Sequence, residues 1–310
     1  MKPSYAGFLF ISLAVAGYSF LPVFIQPLYD ANLTPLEIAF WRYSMAAPLL
    51  WGLSVIERRR LQTIARRPPA IPLLLMGLLL AVAAMAAFTG LDLLPAGTFV
   101  VIFYTYPAIV ALIALFMGER LSRWGWVAVA LTLVGVSLTA PDFSAGLAGE
   151  NATGVIFALI NAVVVTAYYI LSERLLRGVS QIFRSSALTC TGAWVTLGII
   201  AVFSGIRLPP PETIVPFVAL STISTIVPIF ALNVGIQKLG SSRAAVVGSF
   251  EPLLTAFLAM VFLGQQMEPI QWLGGLVIVV SIILLQTLGR PVLSLATTGI
   301  SGKAISAASD

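Results

Sequence analysis

Residues 86–107, AAFTGLDLLPAGTFVVIFYTYP, and residues 231–252, ALNVGIQKLGSSRAAVVGSFEP, decide how this chain is built. At an offset of 145, Gly90 meets Gly235, Leu91 meets Ile236, Leu94 meets Leu239 and Pro107 meets Pro252. One gap after the proline moves the offset to 146, and Phe116 then meets Phe262, Gly118 meets Gly264, Trp126 meets Trp272 and Val134 meets Val280. Leu and Val pairs arise easily between apolar stretches, whereas paired Pro, Gly and Trp do not. The chain reads as an internal duplication.

Around these stretches the composition is that of a membrane protein. Of 310 residues, 59% are hydrophobic and only 9% charged, and mean hydropathy is +1.01. A soluble domain carries about 25% charge, so a water-facing surface cannot be built here. A helix needs about 20 apolar residues to cross the hydrocarbon core. Ten such stretches occur, at roughly 4–28, 36–56, 71–91, 96–117, 124–140, 152–175, 182–204, 213–237, 242–263 and 270–288. Runs this long and continuous are helical rather than barrel-forming.

The basic residues orient them. With Lys2 placed in the cytoplasm, the connectors on that side carry Arg58, Arg59, Arg60, Arg66, Arg67, Arg120, Arg123, Arg174, Arg177, Arg184, Lys238 and Arg243, and the tail adds Arg290 and Lys303. The opposite side has only Arg207 and is otherwise acidic, with Asp30, Asp92, Asp142, Glu150, Glu212 and Glu268. This asymmetry predicts both termini in the cytoplasm. Basic residues scattered through short connectors do not form a nucleic-acid face. The first apolar stretch is too long for a signal-peptide core and lacks a clear cleavage site.

Five helices per half is an odd number, so the second half enters the membrane from the opposite side. The expected fold is all-α integral membrane, with ten transmembrane helices in two inverted five-helix repeats around a central cavity. Residues 1–140 form the first half, 141–151 an outer connector, 152–288 the second, inverted half, and 289–310 a flexible cytoplasmic tail. Inverted repeats allow a central site to open alternately to either side, which points to transport of a small molecule.

Several chemistries are excluded by composition. Histidine is absent and Cys190 stands alone, which removes nucleophile–histidine pairs, His-based zinc sites, CxxC motifs and internal disulfides. No GxxxxGK[ST] motif occurs, so direct drive by ATP is not expected. No metal and no cofactor is called for. An enzyme would be expected to gather several acids or histidines at an interface, and the acids here are scattered singly.

The stretch Tyr106-Pro107 … Phe116-Met117-Gly118-Glu119-Arg120-Leu121, with Trp126 and Gly135, resembles the EamA-like half-unit of the drug/metabolite transporter superfamily. So does Phe250-Glu251-Pro252 … Leu263-Gly264, and Ala167-Tyr168-Tyr169 … Ser172-Glu173-Arg174-Leu175 resembles the opening helix of its second half. The resemblance extends to about residue 288 and implies export of amino acids or other small metabolites across a bacterial inner membrane. The ten-helix aromatic amino-acid exporters (YddG-like) are the type named. Gln265 stands where the first half has Glu119, which puts in doubt any role needing that carboxylate twice.

Ionisable groups at membrane depth are candidates for function. Glu251 lies near the midplane; its repeat mate is Tyr106, and Tyr104 is paired likewise with Ser249. Each pair precedes a proline, which lacks the N–H to bond the carbonyl four residues back. The carbonyls of Phe103 and Gly248 are therefore expected to be free for a substrate ammonium. Glu251 either binds that ammonium or carries a coupling proton; the alternative is that it only meets a neighbouring helix beside a kink. Pro107 and Pro252 are the expected hinges. Arg42, two turns into the second helix, is expected to reach Glu37 or the outer surface, with a substrate carboxylate as the alternative partner. Tyr18, Phe103, Asn161, Tyr168 and Asn233 complete the expected cavity lining, Asn161 and Tyr168 through a polar-aromatic stripe on the sixth helix. Ser221, Thr222, Ser224 and Thr225 read as back-bonding to their own helix or joining helices.

Overall fold

The computed structural model describes residues 5–60, 66–106, 108–109, 122–139, 150–239, 244, 247–248 and 250–288. The elements are helical, and no strand occurs among the described residues. In chain order they are α1 (Tyr5–Ser19), α2 (Leu21–Asp30), α3 (Pro35–Arg60), α4 (Ala70–Leu93), α5 (Ala96–Phe103), α6 (Arg123–Thr139), α7 (Glu150–Leu176), α8 (Ile182–Ser204), α9 (Ile214–Ser221), α10 (Val227–Leu239), α11 (Glu251–Leu263) and α12 (Pro269–Thr287). A π-helical turn, Thr222–Ile226, joins α9 to α10. With α1–α2 and α9–α10 each forming one broken crossing, these elements make ten membrane segments.

The segments Tyr5–Asp30, Ala70–Leu93, Ala152–Leu176, Ile182–Ser204 and Pro211–Leu239 are long and apolar enough to cross a bilayer. Large apolar side chains face outward along them, among them Leu75, Ile156, Ile199 and Val215. Lipid is the medium that suits such a surface. The α12 N-terminus explains one of the acidic connector residues. Glu268 and Gln271 form a capping box, satisfying amides that the first helical turn leaves unbonded.

Packing pairs elements from opposite halves. α1 lies along α10, α3 along α8, α4 along both α7 and α8, α5 against α11, and α6 along α12. Small residues permit the closest crossings. A Cβ at Gly192 would run into the Leu74 carbonyl, and one at Gly77 would meet the α8 backbone at Thr189 and Ala193, so α4 and α8 touch backbone to backbone.

The α3–α8 pair is antiparallel and bonded along its length. At one end Glu37 Oε1 accepts from the Arg207 Nε at 2.9 Å and from its backbone N–H at 3.0 Å. In the middle Trp194 Nε1 donates to Ser44 Oγ at 2.8 Å, and Trp51 Nε1 to Thr191 Oγ1 at 3.0 Å. At the other end the Ile182 and Phe183 N–H groups, at the start of α8, donate to Glu57 Oε1.

Candidate functional site

Two broken segments meet at the centre. α5 stops at Phe103, and the Tyr104 and Thr105 N–H groups turn back to the carbonyls of Val100 and Ile102. In the repeat-related stretch, Gly248 is helical, Phe250 sits in a turn, and α11 begins at Glu251 with Pro252 in its first turn. The segments expected at 96–117 and 242–263 are thus interrupted in their interior, each just ahead of its proline, rather than being single kinked helices. Proline supplies the reason: it withholds one helical N–H and tolerates a position in a first turn. Pro107 and Ser249 lie outside the described residues, so the fate of the Phe103 and Gly248 carbonyls is not part of this geometry.

Across this junction Tyr104 Oη donates to Glu251 Oε2 at 2.8 Å, a bond between the two halves. Glu251 is the first residue of α11, where the unbonded amides of a helix start favour negative charge. Rings extend outward from it: Tyr104 to Tyr106 at 5.5 Å, Tyr106 to Tyr169 at 5.9 Å, and Phe103 to both Tyr104 and Tyr106 at 5.3 and 5.6 Å. A cavity of about 20 Å³ lies among Tyr18, Tyr104, Tyr106, Tyr169, Gly248 and Glu251, with an apolar wall from α1 at Ile11, Ala14 and Val15. That volume fits roughly one water, so this is a conformation in which the chamber is shut.

The other expected residues are placed elsewhere. Tyr168 is buried with Leu73, Met76 and Leu188; its neighbour Tyr169 takes the cavity position, because one residue rotates a helical side chain by about 100°. Asn233 ties three helices together, accepting from Ser172 on α7 and donating to Ser186 on α8, both at 3.4 Å. Phe103 packs against the lining tyrosines rather than on the cavity itself. Asn161 is buried, and its Oδ1 has no partner among the described residues.

Arg42 departs furthest from expectation. It does not reach Glu37, which pairs with Arg207, nor does it snorkel, being 5% exposed. Its Nε donates to Thr225 Oγ1 at 2.6 Å and its Nη2 to the Ser224 carbonyl at 2.9 Å. Pro228 explains that acceptor, since it lacks the N–H that an α-helix would aim at Ser224. The guanidinium also lies 5.3 and 5.4 Å from the ring centroids of Phe88 and Tyr43, a cation–π arrangement. The serine and threonine run divides as its chemistry allows. Thr222 and Thr225 bond back to Val218 and Leu220, while Ser221 reaches the Arg42 carbonyl and Ser224 the Gly17 carbonyl.

No group of three or more Cys, Asp or Glu side chains converges as a metal site among the described residues. What the arrangement can do is bind. It offers one carboxylate with an aromatic, hydroxyl-bearing lining for a cation or amine, on the seam between two structural halves.

Comparison with known proteins places this chain among transporters. The model of the EamA-like transporter family matches twice, at residues 5–140 and 152–287. An uncharacterized transporter of Synechocystis is 26% identical over 76% of this chain and 72% of its own length. The uncharacterized transporter YcbK of Bacillus subtilis is 23% identical, covering 88% of this chain and 90% of its own. The uncharacterized inner membrane transporter YedA of Escherichia coli is 25% identical over 83% and 82% respectively. A protein crystal structure with 19% identity superposes over 91% of this chain and 97% of its own, with a TM-score of 0.65. At that identity the likeness concerns the fold.

Proposed function

The chain belongs to the EamA-like transporter family, and from that premise we propose that it exports amino acids, aromatic or otherwise neutral, and related small metabolites by alternating access. The observation that carries this reading is the Tyr104–Glu251 bond at the meeting of two interrupted helices. Discontinuous segments near the bilayer midplane are where secondary transporters hold their solutes. Glu251 receives the substrate ammonium, and the tyrosines flank an apolar or aromatic side chain.

The two halves, 1–140 and 152–288, exchange inward- and outward-open arrangements around this seam, with Pro107 and Pro252 as the flexible points. Both termini lie in the cytoplasm, a reading that the basic connectors support. The membrane is the bacterial inner membrane, in keeping with the description of YedA. Coupling to protons runs through Glu251, an interior carboxylate that accepts from the Tyr104 hydroxyl.

A second reading, export of a lipophilic cation, draws on the same feature, because one carboxylate among tyrosine rings also suits a cation without a carboxylate. Counterflow in proteoliposomes separates the two. Vesicles preloaded with phenylalanine, leucine or tyrosine are expected to accelerate uptake of the labelled amino acid, more so under an imposed proton gradient. Exchange of quaternary ammonium compounds without any amino-acid exchange would transfer the assignment to the second reading.

A further inference from the structure

The interior holds a second charge that the reading above leaves unused. Arg42 is buried, and no described carboxylate lies within ion-pair distance of it. Its fork offers five N–H donors; Nε donates to Thr225 and Nη2 to the Ser224 carbonyl. A buried guanidinium held only by neutral acceptors is costly. Glu37, the acid closest to it in sequence on α3, is already committed to Arg207.

The surroundings connect this cation to the central chamber. Ser224, which accepts from Arg42 through its carbonyl, donates through its hydroxyl to the Gly17 carbonyl. The next residue, Tyr18, lines the cavity together with Glu251. Arg42 and Glu251 are thus two interior ionisable groups, each bonded to uncharged partners among the described residues. The π-helical turn at Thr222–Ile226 forms one wall of this arrangement, a backbone irregularity that is frequent at functional sites.

We propose that Arg42 is the carboxylate-binding residue of this transporter, so that the solute is a zwitterion, its carboxylate held by the Arg42 fork and its ammonium by Glu251. The inference rests on the amino-acid reading and goes beyond it by assigning the anionic end. Phe88 and Tyr43 hold the guanidinium plane from its aromatic side. Thr225 and Ser224 occupy its donors while the chamber is shut and return them when a carboxylate arrives. The guanidinium fork matches a carboxylate in a way an ammonium does not.

The test compares phenylalanine with phenylalaninamide, which keeps the amine and the ring but has no carboxylate charge. In proteoliposomes of the full chain, wild type is expected to prefer phenylalanine by at least about tenfold in kcat/KM, the scale of a lost charge-assisted contact. Arg42→Gln is expected to lose that preference by slowing phenylalanine far more than phenylalaninamide, and Arg42→Lys to restore part of it. An unchanged preference in folded Arg42→Gln overturns the assignment. Should that variant fail to fold, wild type alone decides: equal transport of the two compounds overturns the role of Arg42 and leaves amino-acid export standing. Exchange of neither compound, nor of any other amino acid, by folded wild type overturns both.

Discussion

Tyr104 caps the end of α5 and Glu251 opens α11, so the 2.8 Å bond between them joins the two interrupted segments by a single proton. A hydrogen bond contributes about 0.5–1.5 kcal/mol net, and that stabilisation belongs to the shut conformation. Tyr104→Phe keeps the ring and removes the donor. It is expected to shift the protein toward open forms, read as faster labelling of Gly248→Cys by a membrane-impermeant thiol reagent. A Cβ at Gly248 lies 3.8 Å from the Tyr104 hydroxyl, so the probe fits at the seam. Glu251→Gln keeps the shape and removes the charge; it is expected to abolish proton-gradient dependence and most transport, with no fall in melting temperature. Unaltered activity at every pH would remove Glu251 from the centre of the mechanism. Tyr104, Tyr106 and Glu251 were visible in the sequence because a proline follows them and the repeat aligns them. Tyr169 was not, since choosing between it and Tyr168 turns on a rotation that an apolar helix with tyrosines at adjacent positions does not reveal. The partners of Arg42 were also hidden, for they come from a π-helical turn about 180 residues away in sequence, and no periodicity encodes that contact.

Elements meet where glycine allows it. The α4–α8 crossing has no room for a Cβ at Gly192, where the Leu74 carbonyl occupies the space. Gly192→Leu is expected to cost at least about 1–3 kcal/mol through forced separation of the helices, measurable as a lower melting temperature of the purified protein in detergent. Gly52, by contrast, has open space around the position of its Cβ, so Gly52→Leu serves as the control and is expected to leave the melting temperature unchanged. Helix number, the apolar crossings and the duplication were legible from hydropathy and from paired Gly, Pro and Trp. The interruptions within the fourth and ninth segments were only half legible. Pro107 and Pro252 announced an irregularity, but a kink and a break leave the same residue in the sequence.

Over the whole molecule the two halves are interleaved rather than set side by side, with α1 on α10, α4 on α7 and α8, and α6 on α12. Motion between them is therefore expected to concentrate where bonds are few. The α3–α8 pair is fastened at both ends and in the middle, whereas α5 and α11 are linked by the Tyr104–Glu251 bond at one end and by the Ala96 N–H on Gln265 Oε1 at the other. In a Cys190→Ser background, a bifunctional thiol cross-link between Ser44→Cys and Trp194→Cys should leave counterflow intact. A disulfide between Gly97→Cys and Ala256→Cys, where the Cβ atoms would lie 3.2 Å apart, should stop it. Equal inhibition by both would mean that α3 and α8 also slide during transport.

The fastenings of α3 carry one more implication, which concerns the lipid rather than the solute. Glu37 and Glu57 are 20 positions apart on one continuous helix, a rise of about 30 Å, close to the thickness of a bilayer's hydrocarbon core. The polar clasps at the two ends of the α3–α8 pair thus mark two planes a fixed distance apart. An acyl region thicker than that distance would draw ionised groups into oil, and a thinner one would strand apolar side chains in water, each at a modest cost per ångström of mismatch. Reconstitution across phosphatidylcholines of increasing chain length is expected to give an activity optimum at the matching length, making α3 and α8 a gauge by which the protein measures its membrane.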